Sequence, residues 1–400
     1  MTHFDYDILV SGGGVAGLSA AALFGNAGFS VLCVDPTPPV TDREAQGADL
    51  RTTAFLQPSQ ILLDDCGLWD RLAPHAADLQ IMRIVDAGGD VSEPRLTKDF
   101  NASDISDKPF GWNLPNWLLR REMVAHLEGM DTVTFLPGTG TTTLFARQNS
   151  AKVGLSDGRH VTVRLVIAAD GRNSPMREAS GVQVRTKRYG QKALAFAVTH
   201  PLPHDNVSTE IHRSGGPFTL VPLPDYEGKP SSAIVWMETG PEIKRLQSLP
   251  RPEFEEALNE RSCLLYGPLA LASNITTWPI INQVAERMYG ERVALVAEAA
   301  HVVPPIGAQG LNMSLGDMRV LLELAKAAPE RLGDLEMLET YHRKRHTEVA
   351  ARAAGIDLLN RTSMLAPRPL RDLRALGLNA IYSLAPVRKT MMQLGLGAKG

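Results

Sequence analysis

Near the start of the chain, SGGGVAG sets Gly12, Gly14 and Gly17 in a Gly-x-Gly-x-x-Gly spacing, after an apolar run and ahead of small residues that include Val15 and Ala16. In that spacing the first glycine makes a tight turn, the second lets backbone approach a pyrophosphate, and the third lets a helix pack against a strand. The helix start adds free N–H groups and roughly half a positive charge. Asp35 ends the next apolar run, where an acidic side chain accepts hydrogen bonds from a ribose and rejects a 2′-phosphate. The chemistry implied is dinucleotide binding, and the turn by itself fits NAD and FAD equally.

Two later segments decide between them. AADGRNS, residues 168–174, brings Asp170 and Gly171 after an apolar run; AEAAHVVPPIGAQGLNMSLGD, residues 297–317, brings Glu298, His301, Pro304, Pro305, Gly307, Gly310, Leu311 and Asn312 after another. These segments resemble the single-component flavoprotein aromatic hydroxylases, in which similar stretches support and run past the flavin. The physics agrees: Gly307 and Gly310 let backbone approach a flat ring without Cβ clashes. A helix starting near Leu311 would aim its N–H groups at the pyrimidine edge, which is anionic when reduced.

Within that family the chain looks most like the ubiquinone-biosynthesis hydroxylases, over nearly its whole length. DLRTTAF, with Arg51, resembles the arginine segment beside the cofactor pyrophosphate, and Asn116 falls where a polar residue meets the cofactor. LETYHRKR and the closing PRPLRDLRALGL are similar to this branch rather than to the benzoate-type hydroxylases. The chain departs from the pattern at Ala297-Glu298, where the family has Gly-Asp, and at Ser314 and Gly316, common Gly and Arg positions. A carboxylate is retained that could still reach a ribityl hydroxyl. The resemblance implies FAD as cofactor, NAD(P)H as transient reductant, and O₂ delivered through a flavin hydroperoxide to an electron-rich ring, most readily a polyprenylated phenol. Its alternatives are another small aromatic or apolar substrate, by hydroxylation or epoxidation, and a non-catalytic flavin-fold subunit of a quinone-synthesis complex. Association with other ubiquinone-biosynthesis proteins follows from the same resemblance.

Other chemistry-bearing residues carry less. His301 has the titration range for proton transfer, but its place after a buried strand reads as a histidine hydrogen-bonded to backbone around Pro304 and Pro305; it is a catalytic candidate only with those prolines, as a group close to flavin and substrate. His200, His204 and His212 lack ligand-type spacing, and no metal is assigned. Trp236, Phe218 and Met237 fit either an apolar pocket or plain core packing. There is no second Gly-x-Gly-x-x-Gly unit and no Cys-x-x-Cys pair, which counts against a disulfide reductase with its own NAD domain.

These residues need a scaffold. Asp5 to Asp35 reads as a strand–helix–strand unit, and Arg164–Ala169 and Val293–Ala297 are continuously apolar, as strands of a parallel sheet covered on both faces are. Ala193–Thr199, Pro217–Leu223 and Ser231–Glu238 suggest a second, more antiparallel sheet. The fold class expected is α/β: a Rossmann-like FAD-binding domain from residues 1–78, 106–182 and 283–350, interleaved with a smaller mixed-sheet substrate domain from 79–105 and 183–282, and a helical segment over 351–400.

Composition sets the outer limits. The chain has 400 residues, 44% hydrophobic and 21% charged, close to a globular average. A net charge of -3 gives no field for phosphate backbones, so nucleic acid is not an expected partner. Cys33, Cys66 and Cys263 suit neither a disulfide framework nor zinc, and point to a reducing, cytoplasmic setting. No apolar run approaches the ~18 residues that span a bilayer. Residues 361–400 carry seven Lys or Arg against Asp372 alone, interspersed with leucines. Such a segment is either a helical cap with a solvated basic face or a peripheral contact with the inner face of the membrane. Oligomeric state is left open.

Overall fold

A computed structural model describes residues 3–49, 51–365 and 367–396. Strand β1 (Tyr6–Ser11) lies between two parallel partners, with Ile8 opposite Leu165 of the strand His160–Ala168 on one side and opposite Val31 of β2 (Val31–Asp35) on the other. Beyond these, Val293–Leu295 and Val133–Pro137 extend the sheet, again in parallel. Helix α1 (Val15–Asn26) crosses from β1 to β2, and Ala20, Ala21 and Ala22 on it are buried. Gly17 is obligatory here, because a Cβ on it would sit 1.8 Å from the Gly12 carbonyl oxygen. The chain leaves β1 toward β2 on one side and returns as His160–Ala168 on the other, so a crevice opens at the carboxyl ends of the strands where the order reverses. This is the doubly wound α/β architecture that the apolar runs imply. The reading of Val293–Ala297 as strand is two residues too long: the strand stops at Leu295, and Ala297 begins a short helix.

The second sheet has nine strands and is antiparallel except where Ile81–Asp86 runs parallel to Val207–His212. Alternation along it divides the residues cleanly. Ser208, Glu210 and His212 face a cavity together with Ile84, Thr219, Val221, Val235 and Ile280, while Thr209 and Ile211 are fully buried on the other side. That other side packs Leu194, Phe196, Ile211, Phe218 and Trp236 against Ile243, Leu246, Phe254 and Leu258 of the helices Gly240–Ser248 and Arg251–Arg261. Phe218 and Trp236 meet edge to face at 5.5 Å within this core. They are packing residues, as is the buried Met237, and none of the three lines the cavity.

The helices Arg368–Ser383 and Ala385–Leu396 roof the cavity and are held by side chains rather than by a sheet ladder. Arg374 reaches Asp86 at 2.9 Å, and Asp86, 1% exposed, is also bound by Arg95 at 2.6 Å and the Gly88 N–H at 3.1 Å. Tyr382 stacks edge-on against Phe100, and Arg388 lies 3.5 Å from Asp104. The surplus of positive charge read from the sequence is therefore largely engaged, since Arg361 and Arg368 also pair, with Asp357 and Asp90. Lys399 lies outside the described residues.

Burial alone would push Asp86 up, but the Arg95 and Arg374 guanidiniums outweigh it and hold the carboxyl below the usual carboxylate range. Asp86→Asn should cost ~3–5 kcal/mol at neutral pH, because Arg374 is left buried without its counter-charge. A lowered folded pKa contributes stability that is complete above the unfolded-state value of ~3.9 and fades as pH falls toward the folded value. Urea unfolding at pH 7 and pH 4 should show the wild type losing part of its advantage over Asp86→Asn on acidification; parallel curves would contradict this account.

Candidate active site

Four strand ends deliver the candidate residues to one place. Ser11, Gly12, Gly14, Val15 and Ala16 at the end of β1, Asp35 at the end of β2, Asp170 after Ala168, and Glu298 after Leu295 all line one cavity of about 1690 Å³. Gly17 sits just behind it. Asp35 turns back on the glycine loop, accepting the Gly13 N–H at 2.6 Å through Oδ2 and the Thr37 N–H at 2.8 Å through Oδ1. Each oxygen keeps a second lone pair for a ribose hydroxyl. Burial pushes the Asp170 carboxyl above the usual range, although its Oδ2 accepts the Met176 N–H at 3.1 Å; its Oδ1 is buried with no partner among the described residues.

Arg51 and Asn116 also line the cavity, and they belong to a cluster the sequence reading did not resolve. Arg51 clasps Asp49 through Nε at 2.8 Å and Nη2 at 2.7 Å, while Asn116 donates to the same carboxyl at 3.1 Å and accepts from Thr53 at 2.8 Å. Arg120 stands 3.6 Å from Asp49. Against burial, which raises it, Arg51, Asn116 and Arg120 draw the Asp49 carboxyl down. Two guanidiniums on one carboxylate leave the wall with one net positive charge. The missed signal was spacing: Arg120 follows Asn116 by four on the helix Asn116–Leu127, and Asp49 precedes Arg51 by two.

The third segment is where the chain departs from its family pattern, and the backbone shows the reason that pattern has glycine. Ala297 takes φ +53°, the left-handed region, at a cost of ~1 kcal/mol for an L residue. The next side chain, Glu298, is half exposed at the cavity with Arg172 at 3.8 Å. His301, 2% exposed, does not hydrogen-bond the backbone near Pro304 and Pro305 as the sequence suggested. Its Nε2 lies 2.6 Å from Asp317 Oδ2, whose Oδ1 accepts Arg345 Nε at 2.9 Å, and its Nδ1 is buried without a partner among the described residues. Asp317 and Arg345 went unnoticed because they lie 16 and 44 residues beyond His301, on two different helices. Gly316 makes room for this network, since a Cβ there would stand 3.1 Å from Arg345 Nη2.

Pro305, Gly307, Gly310 and Leu311 line the cavity, and Pro304 is buried outside it. The helix Gln309–Ala327 opens toward the cavity after Ala308, itself left-handed at φ +56°. Asn312 points away: it accepts the Leu56 N–H at 2.9 Å and donates to Ala54 and Ala308 carbonyls, tying the helix start to the strand Thr52–Leu56. Its place is behind the cavity wall, as a positioning group.

The residues present fit a flavin dinucleotide. Cβ atoms built on Gly14 and Gly310 meet nothing within 4 Å, so both glycines front open space at helix starts, and both line one cavity. That cavity exceeds the ~300–1,000 Å³ of an ordinary small-molecule site and has room for a second molecule. Gly14→Val tests the cradle. With φ −72° and open space the branched side chain fits the folded chain, so stability should change by no more than ~1 kcal/mol, while FAD affinity drops at least tenfold. Fluorescence titration of the apoprotein, beside thermal unfolding, would check this, and unchanged affinity would place the cofactor elsewhere.

Comparison with known proteins agrees with this geometry. Residues 5–355 match the FAD binding domain family. Ubiquinone hydroxylase UbiL of Rhodospirillum rubrum is 31% identical over 98% of this chain and 89% of its own length. The 3-demethoxyubiquinol 3-hydroxylase of Escherichia coli is 24% identical, over 99% of this chain and 100% of its own length. Among solved structures, p-nitrophenol 4-monooxygenase PnpA of Pseudomonas putida superposes with a TM-score of 0.79 over 98% of both chains at 18% identity, a likeness of fold. With the glycine turn, the Asp-Gly segment and the third glycine loop converging on one dinucleotide-sized cradle, the chain belongs to the FAD binding domain family and is an FAD-dependent monooxygenase.

Proposed function

We propose that this enzyme hydroxylates the ring of a polyprenylated phenol on the route to ubiquinone, using NAD(P)H that docks transiently. The observation that carries the reading is a single continuous cavity that joins the flavin cradle to an apolar sheet face and then to two apolar helices. Relatives named as ubiquinone hydroxylases support the substrate class. Bound FAD supplies the activation of O₂. The chain does the rest: Gly12 to Ala16 and the α1 start would hold the phosphates, and backbone at Gly307 and Gly310 would lie against the ring system. Ile84, Val221, Val235 and Ile280 form a dry floor for the substrate ring, where water would otherwise divert the oxidant. From that floor Leu373, Leu378, Ile381 and Met392 continue the apolar lining along the roof, a path for a prenyl tail.

The same roof bears exposed Leu376, Leu384, Val387 and Leu394, and no helix among the described residues is long and apolar enough to cross a membrane. The peripheral contact therefore rests more on these side chains than on the paired arginines. Turnover of a short-chain prenylated phenol under ¹⁸O₂ with NAD(P)H should place one labelled oxygen on the ring; NAD(P)H oxidation giving only peroxide would reject hydroxylation. Leu376→Asp with Leu384→Asp should abolish sedimentation with anionic phospholipid vesicles and leave turnover of a water-soluble phenol intact. Undiminished vesicle binding would reject the membrane contact.

A further inference from the structure

One acidic side chain in the cavity is left over once the cofactor cradle is accounted for. Asp35, Asp49, Asp170 and Glu298 lie at the strand ends of the first sheet and its approach, and Asp86 is neutralised by Arg95 and Arg374. Glu210 belongs to neither group. It lies on the cavity face of the strand Val207–His212 and is 6% exposed, and its Oε1 pairs with His212 Nε2, two residues along the same face, at 2.7 Å. Among the described residues His212 alone pairs with the carboxyl group, through Oε1, which leaves Oε2 without a protein donor. Its surroundings on the sheet are Ile84 on one side and Thr219 on the other. A carboxyl group nine-tenths buried on a cavity wall, with one oxygen held by His212 and the other without a protein donor, is an arrangement that takes a donor from the ligand.

We propose that Glu210 is the substrate-reading residue: it accepts a hydrogen bond from a ring hydroxyl, with His212 bracing the carboxyl from the side. This deepens the reading given under Proposed function and rests on it. The chemistry follows directly. A phenol carries one O–H donor on a flat apolar ring, and a buried carboxylate beside the aliphatic floor orients that ring while rejecting one whose oxygen is methylated. The hydrogen bond also draws the O–H proton away from the ring oxygen, which raises the ring's electron density, the property that electrophilic hydroxylation needs. The charged groups nearest on packed elements are Asp86 on the adjacent strand, Lys98 opposite Ile84, and Arg374 from the roof, whose Nη2 contacts the His212 carbonyl at 3.3 Å. None of them supplies the carboxyl with a partner.

The test uses the oxidised, FAD-loaded protein without reductant, so that binding is read apart from turnover. Absorbance changes of the flavin give Kd for a short-chain prenylated phenol and for its O-methyl ether. The wild type should prefer the phenol by at least about tenfold, the worth of one hydrogen bond to a charged acceptor. Glu210→Leu should erase that preference with the ether's Kd unchanged, and Glu210→Gln, an isosteric variant that keeps an acceptor, should fall between. An equal preference in wild type and Glu210→Leu, with FAD content and thermal unfolding unaltered, would overturn the inference. So would a wild type that binds phenol and ether alike, while a wild type that binds neither would overturn the substrate class as well.

Discussion

The parallel pairing of β1 with a strand on each flank is the constraint on which the site depends. Parallel strands in register end at the same edge, so Ser11, Asp35, Ala168 and Leu295 release their following residues side by side although they come from remote parts of the chain. A slip of one residue between β1 and His160–Ala168 would turn Ile8, Leu165 and their neighbours to the wrong face, and every buried position along both strands opposes it. The register that protects the core thus also fixes the cradle.

Two buried carboxylates perform a comparable service farther out. Asp317, fully buried, joins the third glycine segment to the long helix Leu335–Ser363 through His301 and Arg345. Asp86 joins the second sheet to the roof through Arg374. In each case one carboxylate takes cations or donors from two elements that share no backbone ladder. Such pairs add little net stability compared with apolar packing but penalise any other arrangement of the same helices. The cavity between them keeps its shape for that reason.

Much of the first sheet was legible because central parallel strands are continuously apolar and glycine spacing has a mechanical meaning at a strand–helix turn. Gly12, Gly14 and Gly17 could be assigned their local jobs without a fold. The second sheet was legible as strands but not as faces: Phe218 and Trp236 attract attention by size, yet their parity along the strand puts them in the core, and Glu210 with His212 occupies the side that matters. Long-range partners were invisible. His301 has nothing nearby to suggest Asp317, and the segment around Arg51 does not itself show that Asp49 clasps its guanidinium. Charge counting also misled at the end of the chain, where arginines that look free are bound to aspartates hundreds of residues earlier.

The cradle is divided between the first 35 residues and a loop near residue 307. During synthesis the glycine turn therefore emerges long before the strand Val293–Leu295 that must slot beside His160–Ala168 to bring the second half to the same cavity. An unfinished chain would offer a dinucleotide only half a grip, so tight occupancy is reserved for a chain whose late strand has already docked. Colour in this protein would then report completed assembly as well as the presence of its cofactor.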